Sequence, residues 1–202
     1  MLPDGSEISM NENSTFTYPK RFKGKNRKVK LTGEAFFKVT PDKTKPFIVD
    51  LNETYVKVLG TQFNINNKQG ASEISVLLTE GRVLFGLGKN NPDSLVLRKG
   101  NTGIYNKANQ TLHLEDYSNL NETAWKTKIL VFDNEILDNV IEKIEEVYFI
   151  ELKVDEKLKS RKISAIYYNQ PIEMILQILA STLNIDINEI EKNNYEMVSK
   201  IE

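Results

Sequence analysis

The segment VKVLGTQFNI, residues 56–65, decides how the first half of this chain folds. Val56 and Val58 flank Lys57 as in a half-buried strand, because successive strand side chains point to opposite faces. Past Gly60 the apolar positions are Phe63 and Ile65, so they move from even to odd numbers. One unbroken strand would put one of these pairs in water. ISVLLTEGRVLF repeats the device: Ile74, Val76 and Leu78 are even, Val83 and Phe85 are odd, and Gly81 lies between. A glycine at such a switch marks a bulge or corner, where the strand bends and feeds a different sheet. Gly60 and Gly81 are therefore expected to be structural.

From Glu7 to Leu114 the chain reads as short strands divided by turn signals such as PDG, FKGKN, TPDKTKP and NNKQG. With the two parity switches, this predicts an all-β domain over residues 1–119, a rolled sheet or solenoid. After Trp125 the period changes to that of helices. NEILDNVIEKIEEVY puts Ile136, Leu137, Val140, Ile141, Ile144 and Tyr148 on one face, and NQPIEMILQILASTLN does the same with Ile172, Ile175, Leu176, Leu179 and Leu183. The two segments superpose at an offset of about 35 residues, with Asn134 and Asn169 in matching positions suited to N-caps. Residues 124–202 are thus expected to form a small α+β domain of two βαβ repeats. Trp125, the sole tryptophan, lies at the junction and is expected to plug the interface of the halves.

Composition excludes several function classes. The 202 residues carry 27 basic and 28 acidic side chains, a net charge of −1, which gives no general pull toward nucleic acid or an anionic membrane. There is no cysteine, hence no thiolate chemistry. No apolar run approaches the ~18 residues of a membrane span. MLPDGSEISM is neither basic nor followed by an apolar run, so it does not read as a signal peptide; it reads as a start placed on an excised piece.

No constellation for catalysis, cofactor or metal binding emerges, so the chain is not expected to be an enzyme. His113 is the only histidine, and a metal site or triad needs more partners. Glu115–Asp116 and Glu145–Glu146 are adjacent pairs on a solvated surface rather than carboxyls held across a cleft. GLGKNN at 86–91 lacks a third glycine and a following helix, and reads as a hairpin turn. The basic run KRFKGKNRKVK at 20–30 suits either anionic headgroups or an acidic partner, or simply a soluble hairpin edge. Asn-x-Ser/Thr triplets at Asn13, Asn52, Asn109 and Asn121 are chance in so asparagine-rich a chain.

LPDGSEISMNENSTFTYPKRFKGKNRKVKLTGEAFFKV, KPFIVDLNETYVKVLGTQFNI, LLTEGRVLF and AWKTKILVFDNEILDNVIEKIEEVY together resemble the periplasmic part of the FecR family of anti-sigma regulators. VLGTQFNI with a downstream EGRV is the most specific part. The C-terminal half also looks like the short domain at the N-terminus of secretins and TonB-dependent transporters. The resemblance implies a periplasmic sensor anchored in the inner membrane by a helix not present here. It implies two partners: the N-terminal signalling domain of a TonB-dependent outer-membrane transporter, and an extracytoplasmic-function sigma factor held by an absent N-terminal segment. The chain is therefore expected to be a truncated piece that senses but does not hold sigma. Alternatives are a carbohydrate-binding β-domain and a secretin-type assembly module.

Within that frame the terminal run YEMVSKI is the expected docking edge, because a last strand has no later segment to cover it. Tyr195 and Met197 would share one face, with Val198 on the other. The change of period near YSNLNETAW generates a further expectation. Limited proteolysis between Tyr117 and Trp125 should release a C-terminal fragment of about 80 residues, within the usual domain range. A single cooperative core with no cleavage there would contradict it.

Overall fold

The computed structural model describes residues 1–88, 92–116 and 121–200. The turn expected in GLGKNN and the junction YSNLNETAW lie partly outside them. The chain divides into two compact units, Met1–Ser118 and Asn119–Glu202.

The first unit contains β1 (Glu7–Met10), β2 (Thr15–Thr17), β3 (Arg27–Lys38), β4 (Phe47–Asp50), β5 (Thr54–Val58), β6 (Gln62–Asn67), β7 (Glu73–Glu80), β8 (Arg82–Leu87), β9 (Ser94–Arg98), β10 (Asn101–Asn106) and β11 (Thr111–Asp116). They form one 11-stranded sheet in the order β11-β10-β7-β6-β3-β4-β5-β8-β9, with β1 and β2 also paired to β3. The long strand β3 belongs to both halves. Its start, Arg27–Lys30, pairs with β4, and its end, Gly33–Lys38, pairs with β6. The sheet rolls about this strand until β9 returns beside β10 and β11, so it is nearly closed.

The parity switches are where the chain passes from one half of the roll to the other. β5 and β8 lie on one side of β3, and β6 and β7 on the other. Val56 and Val58 before the first switch, and Phe63 and Ile65 after it, are all buried. So are Ile74, Val76 and Leu78 before the second, with Val83 and Phe85 after it. Gly60 has φ +152°, and a Cβ there would lie 2.6 Å from Pro41 Cα. Gly81 has φ +94°, and a Cβ there would lie 3.0 Å from Thr61 Oγ1 and 3.1 Å from the Gly60 carbonyl oxygen. The two crossings therefore touch, and Thr61 Oγ1 donates a 3.0 Å hydrogen bond to the Arg82 carbonyl. Inside the roll, Phe37 of β3 stacks on Phe63 of β6 with centroids 4.9 Å apart.

The second unit contains α1 (Ala124–Thr127), β12 (Ile129–Ile136), α2 (Leu137–Tyr148), β13 (Glu151–Val154), α3 (Glu156–Lys159), β14 (Lys162–Tyr168), α4 (Ile172–Leu183), β15 (Ile185–Glu191) and β16 (Asn194–Ser199). Its strands form two sheets, β12-β14 and β13-β16-β15. The order strand–helix–strand occurs twice, and α2 and α4 are both 12 residues long. The strands flanking each helix nevertheless lie in different sheets; the parallel pair is β13 with β16. A βαβ unit requires its two strands to be parallel in one sheet, so the expected pairing is corrected. Leu137, Val140, Ile141, Ile144 and Val147 of α2 are buried, as are Ile175, Leu176, Leu179 and Leu183 of α4. Ile136 is instead 42% exposed.

Asn134 and Asn169 are not N-caps. Those positions belong to Ile136 and Pro171. Both asparagines are left-handed, with φ 53° and 50°, a conformation that asparagine tolerates better than most side chains. Asn134 lies in the bulge between Phe132 and Glu135, and its N–H donates to Ser164 Oγ at 2.8 Å.

Gly60→Val and Gly81→Val should each cost on the order of 1–3 kcal/mol through backbone strain and the close neighbours described. Urea denaturation of the two variants measures this. Unchanged midpoints in both would contradict the structural role of these glycines.

Candidate partner-binding site

A strand accepts a segment of another protein where its main-chain N–H and C=O groups lack partners. β16 offers no such edge. It pairs with β13 on one side and β15 on the other, so the last strand is the centre of its sheet. Its position in the sequence did not reveal this, because the chain returns to insert between two earlier strands. Tyr195 is 9% exposed and Met197 fully buried, both in the core. Val198 is half-buried and stands opposite Asp186 of β15. The expected edge at Tyr195, Met197 and Val198 is therefore corrected.

The two-stranded sheet is different. Its inner face carries Leu130, Phe132 and Tyr167, all buried. Its outer face carries Ile129 opposite Tyr168, and Val131 opposite Ile166. The Val131 N–H donates to Asn121 Oδ1 at 2.8 Å, and its carbonyl accepts from Asn121 Nδ2 at 2.9 Å. Val131 thus turns its main-chain groups away from β14. In an antiparallel ladder opposed residues either exchange both bonds or both point outward, so Ile166 points its N–H and C=O out of the sheet as well. On the β12 side this edge is closed by the Asn121 amide and by Thr127 Oγ1, which accepts from the Ile129 N–H at 3.2 Å. On the β14 side no group among the described residues pairs with the main chain of Ile166. The Tyr168 N–H does reach Gln170 Oε1, at 3.1 Å. The result is an open edge centred on Ile166. Two apolar side chains project beside it: Ile166 is 52% exposed and Tyr168 65%.

KISAIYY carried a signal for this. Ile163, Ala165 and Tyr167 supply an inward stripe, and Ile166 and Tyr168 are apolar on the opposite parity, which a strand with one solvated face does not need.

The remaining candidates fall into place individually. Trp125 lies in α1, its indole nitrogen buried and without a hydrogen-bond partner. His113 is exposed, with Nε2 3.3 Å from Glu115 Oε1. Glu145 accepts the Leu152 N–H at 2.6 Å, and Glu146 pairs with Lys143. Asn121, singled out only as part of a triplet, serves the β12 edge. Among the described residues no group of three or more metal-ligating side chains comes together. Nor is any helix among them long and apolar enough to cross a membrane. The Tyr167 hydroxyl is buried without a partner, and burial pushes its pKa up to about 12; it remains a neutral phenol.

One buried polar cluster went unread in the sequence. Glu34 of β3, 3% exposed, accepts from Asn11 Nδ2 and Asn64 Nδ2, each at 2.9 Å, and pairs with Lys68 at 3.2 Å. Asn64 sits between Phe63 and Ile65 in the opening segment, on the face that alternation assigned to solvent.

Because β16 is central, Met197→Pro should abolish folding of the second unit rather than leave it intact. It removes a ladder donor from a central strand, where proline is essentially not tolerated, and places a ring in the core. Circular dichroism of that variant checks the point; a native spectrum and unchanged melting would contradict the strand order.

Two family models match this chain, one within each unit. The family model described as FecR protein matches residues 1–84, and the one described as FecR, C-terminal, matches residues 129–197. Two crystal structures of a candidate anti-sigma factor from Parabacteroides distasonis ATCC 8503, at 1.65 and 2.50 Å, each superpose with a TM-score of 0.69 and 27% sequence identity. Each alignment covers 99% of this chain, with 93% and 92% of the respective structures. No curated protein matches significantly. The two family models together account for more than half of the sequence, and the chain belongs to the FecR family.

Proposed function

We propose that this chain is the periplasmic part of a transmembrane anti-sigma regulator. In this reading its second unit binds the N-terminal signalling domain of a TonB-dependent outer-membrane transporter. Binding relays the transporter's substrate status to an extracytoplasmic-function sigma factor held by a segment of the regulator on the far side of the inner membrane. The observation that carries the reading is the succession of the two FecR matches along one chain. The likeness to a candidate anti-sigma factor over nearly the whole length supports it.

The β14 edge gives this role a physical basis. It lies within the segment matched by the C-terminal family model. An incoming strand would pair with the outward main-chain groups of Ile166, and the side chains of Ile166 and Tyr168 would be covered by the partner. Main-chain bonds of this kind give affinity, while the flanking side chains give specificity.

The test is calorimetric titration of the transporter's signalling domain against the parent chain, Ile166→Asp and Ile190→Asp. Ile190 is 55% exposed on β15, in the other sheet. Ile166→Asp should weaken binding at least tenfold, about 1.4 kcal/mol, and Ile190→Asp should leave it unchanged. Equal affinity of all three would move the interface off β14. Absence of binding by the folded parent chain would overturn the partner assignment itself.

A further inference from the structure

The first unit contains a cavity of about 610 Å³ to which Asp4, Lys20, Arg21, Phe22, Arg27 and Lys45 contribute. Three of these cations belong to the basic run singled out in the sequence. The run is not a uniformly solvated hairpin. It forms the connection from β2 into β3, and its Arg27 is only 2% exposed.

Arg27 is firmly held. Its Nε donates to the Lys45 carbonyl at 2.8 Å, and its Nη1 donates to the Thr40 carbonyl at 2.8 Å and to Asp4 Oδ2 at 2.7 Å. The guanidinium carbon lies 5.4 Å from the centroid of the Phe47 ring. Its Nη2 is buried and has no acceptor. A buried donor without a partner forfeits hydration and gains nothing in return, and here the donor carries positive charge.

The surrounding charges leave a surplus of the same sign. Asp4 and Asp42 are the acids at this cavity, against four cations. Both carboxylates are already engaged: Asp4 by Arg27 and Ser6, and Asp42 by the Thr44 N–H and hydroxyl and the Lys45 N–H. The Asp4 carboxyl stays ionised more readily than usual, because the hydrogen bonds from Arg27 and Ser6 outweigh the opposing effect of its burial. Lys20 and Arg21 are exposed and enter no ion pair among the described residues. The loop that bears them is pinned, since Lys45 Nζ donates to the Phe22 carbonyl at 2.7 Å and the Phe22 ring meets Phe47 edge-on at 6.1 Å.

We propose that this cavity is a binding site for a phosphate group, carried by a small solute or by a lipid headgroup. A tetrahedral phosphate offers acceptors in several directions and up to two negative charges. That matches a buried guanidinium among the lining residues, with the exposed cations Lys20 and Arg21 beside it, better than a planar, singly charged carboxylate does. Phosphate oxygens would complete the Arg27 fork at Nη2, and Lys20 and Arg21 would close over the group. This is independent of the partner edge on the second unit.

The experiment follows the Nε–H resonance of Arg27 and the backbone amides in 15N-labelled chain, at constant ionic strength held with chloride. Inorganic phosphate and glycerol 3-phosphate are the soluble probes. Vesicles of phosphatidylglycerol, with phosphatidylcholine vesicles as control, are the lipid probe. A saturable one-site shift at Arg27 is expected, at least tenfold weaker in Lys20→Ala/Arg21→Ala, whose amide spectrum should stay native because both residues are exposed. Selective capture on phosphatidylglycerol vesicles, reversed by glycerol 3-phosphate, identifies a headgroup as the source. Saturable binding of the soluble probes without vesicle capture identifies a phosphorylated solute. No saturable shift with either soluble probe overturns the proposal. So does equal binding by the double variant, or vesicle capture that glycerol 3-phosphate does not reverse.

Discussion

The first unit depends on the close approach of Gly60 to Pro41, where a Cβ would come within 2.6 Å of a backbone atom. A strand cannot change which of its faces is buried without breaking, because alternation is fixed by the backbone. The chain needs that change twice, between β5 and β6 and between β7 and β8, to pass across β3 and keep its apolar side chains inside. Gly60 and Gly81 make both passages at one place, where they are too crowded for side chains and are tied together by Thr61. From this follows the roll of the sheet, and from the roll its near closure. Closure withdraws main-chain groups at the rim from stray pairing.

The second unit meets the same demand by other means. Its two small sheets cannot close, so their edges are treated one at a time. The side-chain oxygen and nitrogen of Asn121 both bond the main chain of Val131, and a bulge at Asn134 interrupts the pairing of β12 with β14, which resumes at Glu135 opposite Ile163. Ile166 of β14 receives no such cover among the described residues. In a fold that protects the neighbouring edge so specifically, an uncovered edge flanked by exposed isoleucine and tyrosine is where a partner strand gains most. The proposed signalling role and the geometry of the unit thereby meet on one element.

How much of this was legible in the sequence follows the range of the forces involved. Alternation and the helical period act over a few residues, so the switches at Gly60 and Gly81, the all-β character of the first unit and the apolar faces of α2 and α4 could be read directly. Strand order is set by contacts distant in sequence. The central place of β16, and the separation of the strands flanking each helix into different sheets, left no local trace. Asn134 and Asn169 were legible as punctuation but not as its kind, since asparagine serves both N-caps and left-handed turns. Arg27 and Glu34 were hidden for a third reason. Nothing in a run of charges distinguishes the one whose partners lie across the fold, and alternation assigns such residues to solvent.

Hydrogen exchange at the Ile166 amide, in the free chain and in the complex with the transporter's signalling domain, tests the central claim most directly. The Ile166 amide should exchange fast in the free chain and slow strongly in the saturated complex. The Val131 amide, held by Asn121, should be protected in both. An Ile166 amide that still exchanges as fast in the saturated complex as in the free chain would contradict it.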